Sequence, residues 1–330
     1  MSKVIYYLSG PHVNVETGYW LYDKLKEDGY DIKPFFLFRF GHSRDFKTRI
    51  RRFSETFKLL YQSKKNELVV LYDVTQVFII MGLIVNLLGL RRKIIAINFM
   101  GNGNSLGYEK WKRPLIRYAL HKMKIGINNE NLINLYAEQL KISPSVFFVV
   151  KDCCANVDIA VKPCESAIPH YVFMGGNVHR DWGVFKEIVK SMPNVRFVAA
   201  LGSNDLDECR HLQNLTIHKQ ISLKEFNELV AKSYIVLLPL KTEMQGGQLV
   251  AFQGSMYHKP VIISHCISID SYYTNEDAIK VGINDVEGCI GAIKRLMNDD
   301  VFYRKIANNG YNCIKQLTPE VIYEAIKSQF

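Results

Sequence analysis

The chain has 330 residues, 48% of them apolar and 22% charged, with a net charge of +10. That length suits one large domain or two of ordinary size, and so apolar a composition without low-complexity tracts excludes an intrinsically disordered chain. The charge is uneven, because residues 1–165 hold 25 Lys and Arg against 15 Asp and Glu, whereas residues 166–330 hold 17 of each.

The run from Lys3 to Leu8 predicts a first strand. Its apolar part, Val4 to Leu8, is too short for a secretory signal. A loop from Ser9 to Gly18, a helix over Tyr19–Glu27 and a strand over Asp31–Phe38 complete a βαβ unit. A basic helical segment, Arg39 to Lys65, precedes a strand over Leu68–Tyr72. Val74 to Leu90 is the most apolar window, yet it contains Thr75, Gln76 and Asn86 and is shorter than the ~20 residues that span a bilayer. A buried helix is expected there. A strand over Lys93–Phe99, a loop over Met100–Gly107 and a basic amphipathic helix over Tyr108–Lys122 follow, then a strand over Lys124–Ile127, a helix over Glu130–Leu140 and a strand over Val146–Val150. Strands alternating with helices imply a parallel sheet covered on both faces.

The periodicity lapses between Lys151 and Pro169, the linker candidate, and then restarts. Strands are expected over His170–Met174, Arg196–Ala200, Leu215–Ile217 and Tyr234–Leu238, with helices over Gly183–Lys190 and Ser222–Lys232 between them. The segment from Glu243 to Ser264 reads as glycine turn (Gly246-Gly247), helix and buried strand. Such a turn presents backbone N–H groups and a helix-dipole end to one point, which suits a phosphate or diphosphate. A strand over Ile279–Val281, a helix over Asp285–Asn298 and one long terminal helix end the chain. The expected domains are residues 1–160 and 161–310, with 311–330 a terminal helix that can cross back to the first domain. Two successive α/β halves imply a cleft between them.

The seven cysteines are odd in number, lack CxxC spacing and include the adjacent pair Cys153-Cys154, so they read as reduced cytosolic thiols. No cluster has zinc-ligand spacing. Asp205-Leu206-Asp207 looks like a metal pair but lies in a polar loop, where a helix cap or solvated turn is the better reading. Gly101-Asn102-Gly103-Asn104-Ser105-Leu106-Gly107 nearly spells a dinucleotide fingerprint, which raises a nicotinamide-dependent oxidoreductase as a further possibility. Its third glycine comes one residue late and no acidic residue ends a strand at the right distance. It is read instead as a flexible loop, and Asn102 within it and Gly10 at the first strand's end join the candidate binding residues.

Several pieces in order resemble the donor domain of GT-B glycosyltransferases, in particular the retaining group called family four or group one. They are Phe173 to Gly176 followed by Arg180-Asp181-Trp182; Ile217 to Lys219, Ser222 to Val230 and Ile235 to Leu240; and the segment ending in Lys259-Pro260-Val261. More loosely, Asp73, Asn128-Asn129-Glu130 and Asn156-Val157-Asp158 resemble pieces of the first domain and linker. Counting back from Pro260-Val261, the two glutamates of the family's acidic motif fall on Gln245 and Gln253. Trp182-Gly183 stands where many relatives have Lys-Gly.

The resemblance implies two Rossmann-like parallel-sheet domains facing a central cleft, the first for the acceptor and the second for the donor. It implies hexosyl transfer of the retaining, metal-independent type, with no cofactor and with Gly10 and Asn102 binding the acceptor. Gly175, Gly176, Arg180, Gly246, Gly247, Gln248 and Leu249 would hold the donor's diphosphate. Lys219 or Lys241 would replace the missing second cation, Gln253 would hold the ribose, and Gln245 and His12 would position the sugar. The basic segments interleave aromatic and apolar residues, which suits an anionic membrane surface or a lipid diphosphate, and no nucleic-acid motif accompanies them. The function implied is transfer from a UDP-sugar to a lipid-linked saccharide in surface polysaccharide assembly, in the cytoplasm at the inner face of the membrane. Because both glutamates are amides here, a non-catalytic sugar-nucleotide-binding partner of another transferase is the alternative.

Overall fold

A computed structural model describes residues 4–9, 20–36, 46–72, 75–99, 109–154, 157, 170–243 and 246–330. The chain divides into two compact units, residues 1–151 with 319–330, and residues 152–318.

Unit 1 runs β1 (Val4–Ser9), α1 (Trp20–Glu27), β2 (Asp31–Phe36), α2 (Phe46–Gln62), β3 (Leu68–Tyr72), α3 (Thr75–Leu87), β4 (Lys93–Ile97), α4 (Arg113–Leu120), β5 (Lys124–Ile127), α5 (Asn131–Leu140) and β6 (Phe147–Val149). Its sheet is parallel in the order β2-β1-β3-β4-β5-β6. The apolar runs of β1, β3 and β4 are fully covered, as parallel strands between helical layers must be. Asn129 accepts the Asn131 amide at 2.8 Å and so turns the chain into α5.

The apolar window forms α3, with Phe78 and Met81 fully buried. Among the described residues no helix is long and apolar enough to cross a membrane. The polar residue in the window is explained by α4, because Asn86 Nδ2 donates to the Tyr118 and Ala119 carbonyls at 2.6 and 3.2 Å. Gly82 sits where the two helices cross, and a Cβ there would lie 2.2 Å from the Ala119 oxygen.

Unit 2 runs β7 (Tyr171–Gly175), α6 (Trp182–Ser191), β8 (Arg196–Leu201), β9 (Leu215–Lys219), α7 (Leu223–Lys232), β10 (Ile235–Leu238), α8 (Gln248–Met256), β11 (Val261–Ser264), α9 (Ile267–Asp270), β12 (Ile279–Val281), α10 (Val286–Asn298) and α11 (Asp300–Ile314). The sheet order is β12-β11-β10-β7-β8-β9, again all parallel. Alternation along the strands fills both faces. Val172, Met174, Ile235 and Leu237 enter one core cluster with Phe185 and Ile293, while Phe173, Val236 and Leu238 enter the other with Phe252 and Tyr273.

The sequence expects one long helix at the end and the structure has two, α11 and α12 (Pro319–Lys327). Proline disfavours a helical residue before it, so the helix cannot run through Thr318. Helix α12 belongs to unit 1 and packs on α1, where Tyr323 Oη donates to Asp28 at 2.8 Å and Lys327 pairs with the same carboxylate at 2.5 Å. Both contacts hold the Asp28 carboxyl below its ordinary range. Two further differences are local: α4 begins at Arg113 rather than Tyr108, and the short α9 has no periodic signal. The six described cysteines are free thiols.

Candidate functional site

In unit 2, β7 is followed by β8 on one side and the sheet later resumes with β10 on the other. The carboxyl ends of β7 and β10 therefore flank the topological switch point, where open α/β sheets bind ligands. Two loops meet there. Gly175 ends β7 and the loop after it carries Gly176, His179 and Arg180, while the loop after β10 carries Leu240 and the Gly246-Gly247 turn. Arg180 forms a β-bridge with Leu240, the Asp181 amide donates to the Pro239 carbonyl at 2.8 Å, and the Lys241 amide donates to the His179 carbonyl at 3.0 Å.

Arg180 is 6% exposed. Its Nε donates to the Gly175 carbonyl at 2.7 Å and its Nη1 to the Val178 carbonyl at 2.9 Å. No carboxylate pairs with it among the described residues. Burial pushes its pKa down to about 10, which still leaves a cation at neutral pH, and the nearby Cys266 opposes the shift. A buried, unpaired guanidinium is costly, and an anion would offset that cost. Gly176 has φ +96°, and a Cβ on it would stand 2.8 Å from Arg180 Nη2, so glycine is required both by the backbone and by the guanidinium.

Helix α8 starts after Gly247, whose φ is +81°. Its N-cap position has no side chain with which to cap the first-turn amides. The other long helices of unit 2 are capped: Asp181, Ser222, Asp285 and Asp299 each accept from a first-turn amide of α6, α7, α10 and α11. The Gly246 amide reaches Ser268 Oγ at 3.4 Å, and a Cβ on Gly246 would meet the His179 Cβ at 3.2 Å, which fixes how near the two loops come. Gln248 is buried and Leu249 is exposed.

Gln253 lies further along α8, buried, and its Nε2 donates to Asn227 Oδ1 of α7 at 3.1 Å. That bond orients the amide, and no donor among the described residues reaches its Oε1. Lys219 is not brought to the switch point. It ends β9, the edge strand separated from β10 by β7 and β8, and its ammonium contacts Asn204 at 2.7 Å and Asp207 at 2.5 Å. Asp207 in turn binds Arg210, and these cations hold its carboxyl below the ordinary range. Among the described residues no group of His, Cys, Asp or Glu side chains could hold a metal ion. Gln245, His12, Gly10 and Asn102, with Asp73, Asn156 and Asp158, lie outside the described residues.

His179 is the site residue that sequence reasoning passed over. It has φ +58°, and burial, aided by the Arg180 charge, lowers its pKa, which keeps the imidazole neutral. Position alone, between the glycine turn and Arg180, was its only signal.

No family model matches the chain, and no curated protein matches it. Solved structures do. Sucrose-phosphate synthase from Thermosynechococcus elongatus superposes with a TM-score of 0.75 at 13% identity, covering 99% of this chain and 98% of that one. HepE of Anabaena in complex with UDP gives 0.72 at 10% identity over 99% and 98% of the two chains. The lipopolysaccharide outer core galactosyltransferase WaaB gives 0.66 at 14% identity, again over 99% and 98%. The chain has the GT-B fold. The two Rossmann-like sheets expected from the alternation of elements are the two sheets of GT-B, and the switch point between β7 and β10 lies in the second of them.

Proposed function

We propose that the chain is a glycosyltransferase that takes a sugar from a UDP-sugar held by unit 2 and passes it to a lipid-linked saccharide held by unit 1, in surface polysaccharide assembly. The observation that carries this reading is Arg180, a buried guanidinium without a carboxylate partner among the described residues, beside a helix start whose glycine N-cap offers no side chain. Complexes of HepE with UDP and with UDP-glucose support the donor class, and WaaB, a lipopolysaccharide galactosyltransferase, supports the acceptor class.

Transfer breaks the bond between the anomeric carbon and the terminal phosphate oxygen and makes a bond to an acceptor hydroxyl oxygen, whose proton departs. Negative charge grows on the diphosphate. Arg180, whose Nη2 has no partner among the described residues, and the amides of Gln248, Leu249 and Val250 offset that charge without calling on a metal. Gln253 Oε1 accepts from a ribose hydroxyl, and Gln245 and His12 position the sugar. Retention of configuration follows from the family resemblance.

Peripheral attachment to the inner face of the membrane accords with two apolar stripes in unit 1 set among basic residues. One is Ile50, Phe53, Phe57 and Tyr61 on α2, and the other is Trp111, Leu115 and Tyr118 along α4 and the turn before it; all are exposed.

Gln253's bond to Asn227 favours a second reading, a partner that binds the nucleotide-sugar without turnover. Calorimetric titration with UDP, GDP, ADP and NAD, alongside Arg180→Ala, tests both. UDP is expected to bind best, and Arg180→Ala to weaken it about tenfold or more, near 1.4 kcal/mol. Binding without transfer or hydrolysis of UDP-sugars would favour the partner, tight NAD binding would favour the oxidoreductase, and no binding would overturn the donor site.

A further inference from the structure

Unit 1 carries a second site that this chemistry does not use. At the amino-terminal ends of β4 and β5 lies a cleft of about 390 Å³ lined by Asn66, Arg91, Arg92, Lys93, Lys122 and Lys124, with Ile94 at its floor. Five of these residues are cationic and no carboxylate lines it. None of the five forms an ion pair among the described residues. Arg92 is the fixed one: its Nε and Nη2 donate to Ser63 Oγ and the Ser63 carbonyl at 2.9 and 2.6 Å, and its Nη1 to the Arg91 carbonyl at 3.1 Å. Lys124 Nζ donates to the Ser145 carbonyl at 2.9 Å. Glu67 is the acid beside this strand end, since its carbonyl accepts from the Lys93 amide. Its carboxylate is turned to the Lys64 amide and Tyr6.

Substrates of such sheets bind at the carboxyl ends of the strands, so a cleft at the amino ends is not part of the acceptor site. It shares Arg91, Arg92, Ile94 and Lys122 with a neighbouring cavity of about 210 Å³ between α3 and α4, to which Gly82, Val85, Leu90 and Met123 add apolar wall. Leu87 and Leu88, at the end of α3 just before the lining residues, are 71% and 67% exposed.

We infer that this cleft binds a phosphate-bearing headgroup of the membrane, a phosphomonoester above all, with Leu87 and Leu88 entering the acyl boundary beside it. Its charge complements an anionic lipid, and the adjacent apolar pair is what a soluble phosphate compound would not need. The cleft presupposes the membrane association proposed above and adds selectivity for the headgroup. A diffuse basic face responds to surface charge alone; a pocket of five cations also distinguishes a terminal phosphate, which carries more charge, from a phosphodiester.

The full chain is sedimented with phosphatidylcholine vesicles, alone or with phosphatidic acid or phosphatidylglycerol adjusted to equal surface charge. Phosphatidic acid is expected to bind at least threefold more tightly than phosphatidylglycerol. Arg91→Glu with Lys122→Glu should lower binding tenfold or more and remove the preference, whereas Lys224→Glu with Lys294→Glu, exposed sites of unit 2, should preserve it. The milder pair Lys93→Gln with Lys122→Gln should act in the same direction if the reversal pair proves unstable. Equal binding of both lipids, or a cleft pair that behaves as the control pair does, would overturn the headgroup site. Absence of sedimentation with every vesicle would overturn the membrane reading as well. Calorimetry with inorganic pyrophosphate separates the other source: binding lost in the cleft pair, with vesicle binding intact, would assign the pocket to a soluble phosphate. UDP affinity should be unchanged in all these variants, which keeps the donor site a separate question.

Discussion

Gly176 and Arg180 form a single packing unit, because the space a Cβ would take on Gly176 ends 2.8 Å from Arg180 Nη2. The glycine also has φ +96°, a conformation that side chains other than hydrogen rarely take. Gly176→Ala therefore pushes on the guanidinium and strains the backbone together. A stability loss of about 1–3 kcal/mol is expected in urea titration. UDP affinity should fall with it, measured on the fraction that remains folded. Gly183→Ala is the comparison: φ is not positive there, and a Cβ would meet only Asp181 Oδ1 at 3.2 Å. It should change affinity little.

His179 gives the site a pH dependence with a definite sign. Burial and then the Arg180 charge lower its pKa in the folded state. The unfolded chain takes up a proton near pH 6.5 while the folded chain resists it, so stability is full above that pH and declines as pH falls through the folded pKa. His179→Asn removes the titration, and asparagine tolerates the positive φ. The difference in unfolding free energy between pH 7.5 and pH 5.5 should be smaller in the variant than in the parent chain. An equal difference in both proteins would assign the acid sensitivity to other groups.

The alternation of strands and helices was legible because parallel strands buried on both faces leave continuous apolar runs such as those of Leu68–Tyr72 and Val261–Ser264. The glycine turn before α8 was legible for a similar reason, since Gly246-Gly247 precedes an apolar helical spacing. What the sequence could not convey was partnership. Lys219 reads as a replacement for the missing second cation until Asp207 and Asn204 are seen around it, and Gln253 reads as the ribose contact with no sign of its bond to Asn227 of α7, 26 residues away. His179 had no periodicity to announce it. The sequence leads to one terminal helix, whereas Pro319 breaks it and α12 packs on α1.

The crossing of α3 and α4 predicts a second sensitive glycine, in unit 1. A Cβ on Gly82 would lie 2.2 Å from the Ala119 carbonyl oxygen and 2.7 Å from Met123 Cε. Backbone cannot rotate away as a side chain can, so the helices must separate, at a cost of about 1–3 kcal/mol. Gly82→Ala should lower the unfolding midpoint of unit 1. UDP binding, which we propose for unit 2, should persist wherever the variant is folded. Loss of UDP affinity in a folded Gly82→Ala protein would contradict the assignment of the donor to unit 2 alone.

The amide pair of Gln253 and Asn227 allows structure and binding to be separated. Both side chains are buried, and the Nε2 to Oδ1 bond ties α8 to α7. Removing either side chain breaks this bond in a buried setting, so Gln253→Leu and Asn227→Leu should each cost about 1–3 kcal/mol. The double variant should cost less than the sum, because the same bond is lost in each single variant. Binding should divide differently. With Nε2 held by Asn227, Oε1 is the atom offered to a ribose hydroxyl, and Gln253→Leu should weaken UDP about tenfold. Asn227→Leu leaves that oxygen in place and should weaken UDP less, by freeing the amide to turn. Titration with UDP and with a nucleoside diphosphate lacking the 2′-hydroxyl reads the contact directly. If Gln253 holds the ribose, the parent chain prefers UDP and Gln253→Leu abolishes the preference; an unchanged preference would make the pair a core tie only.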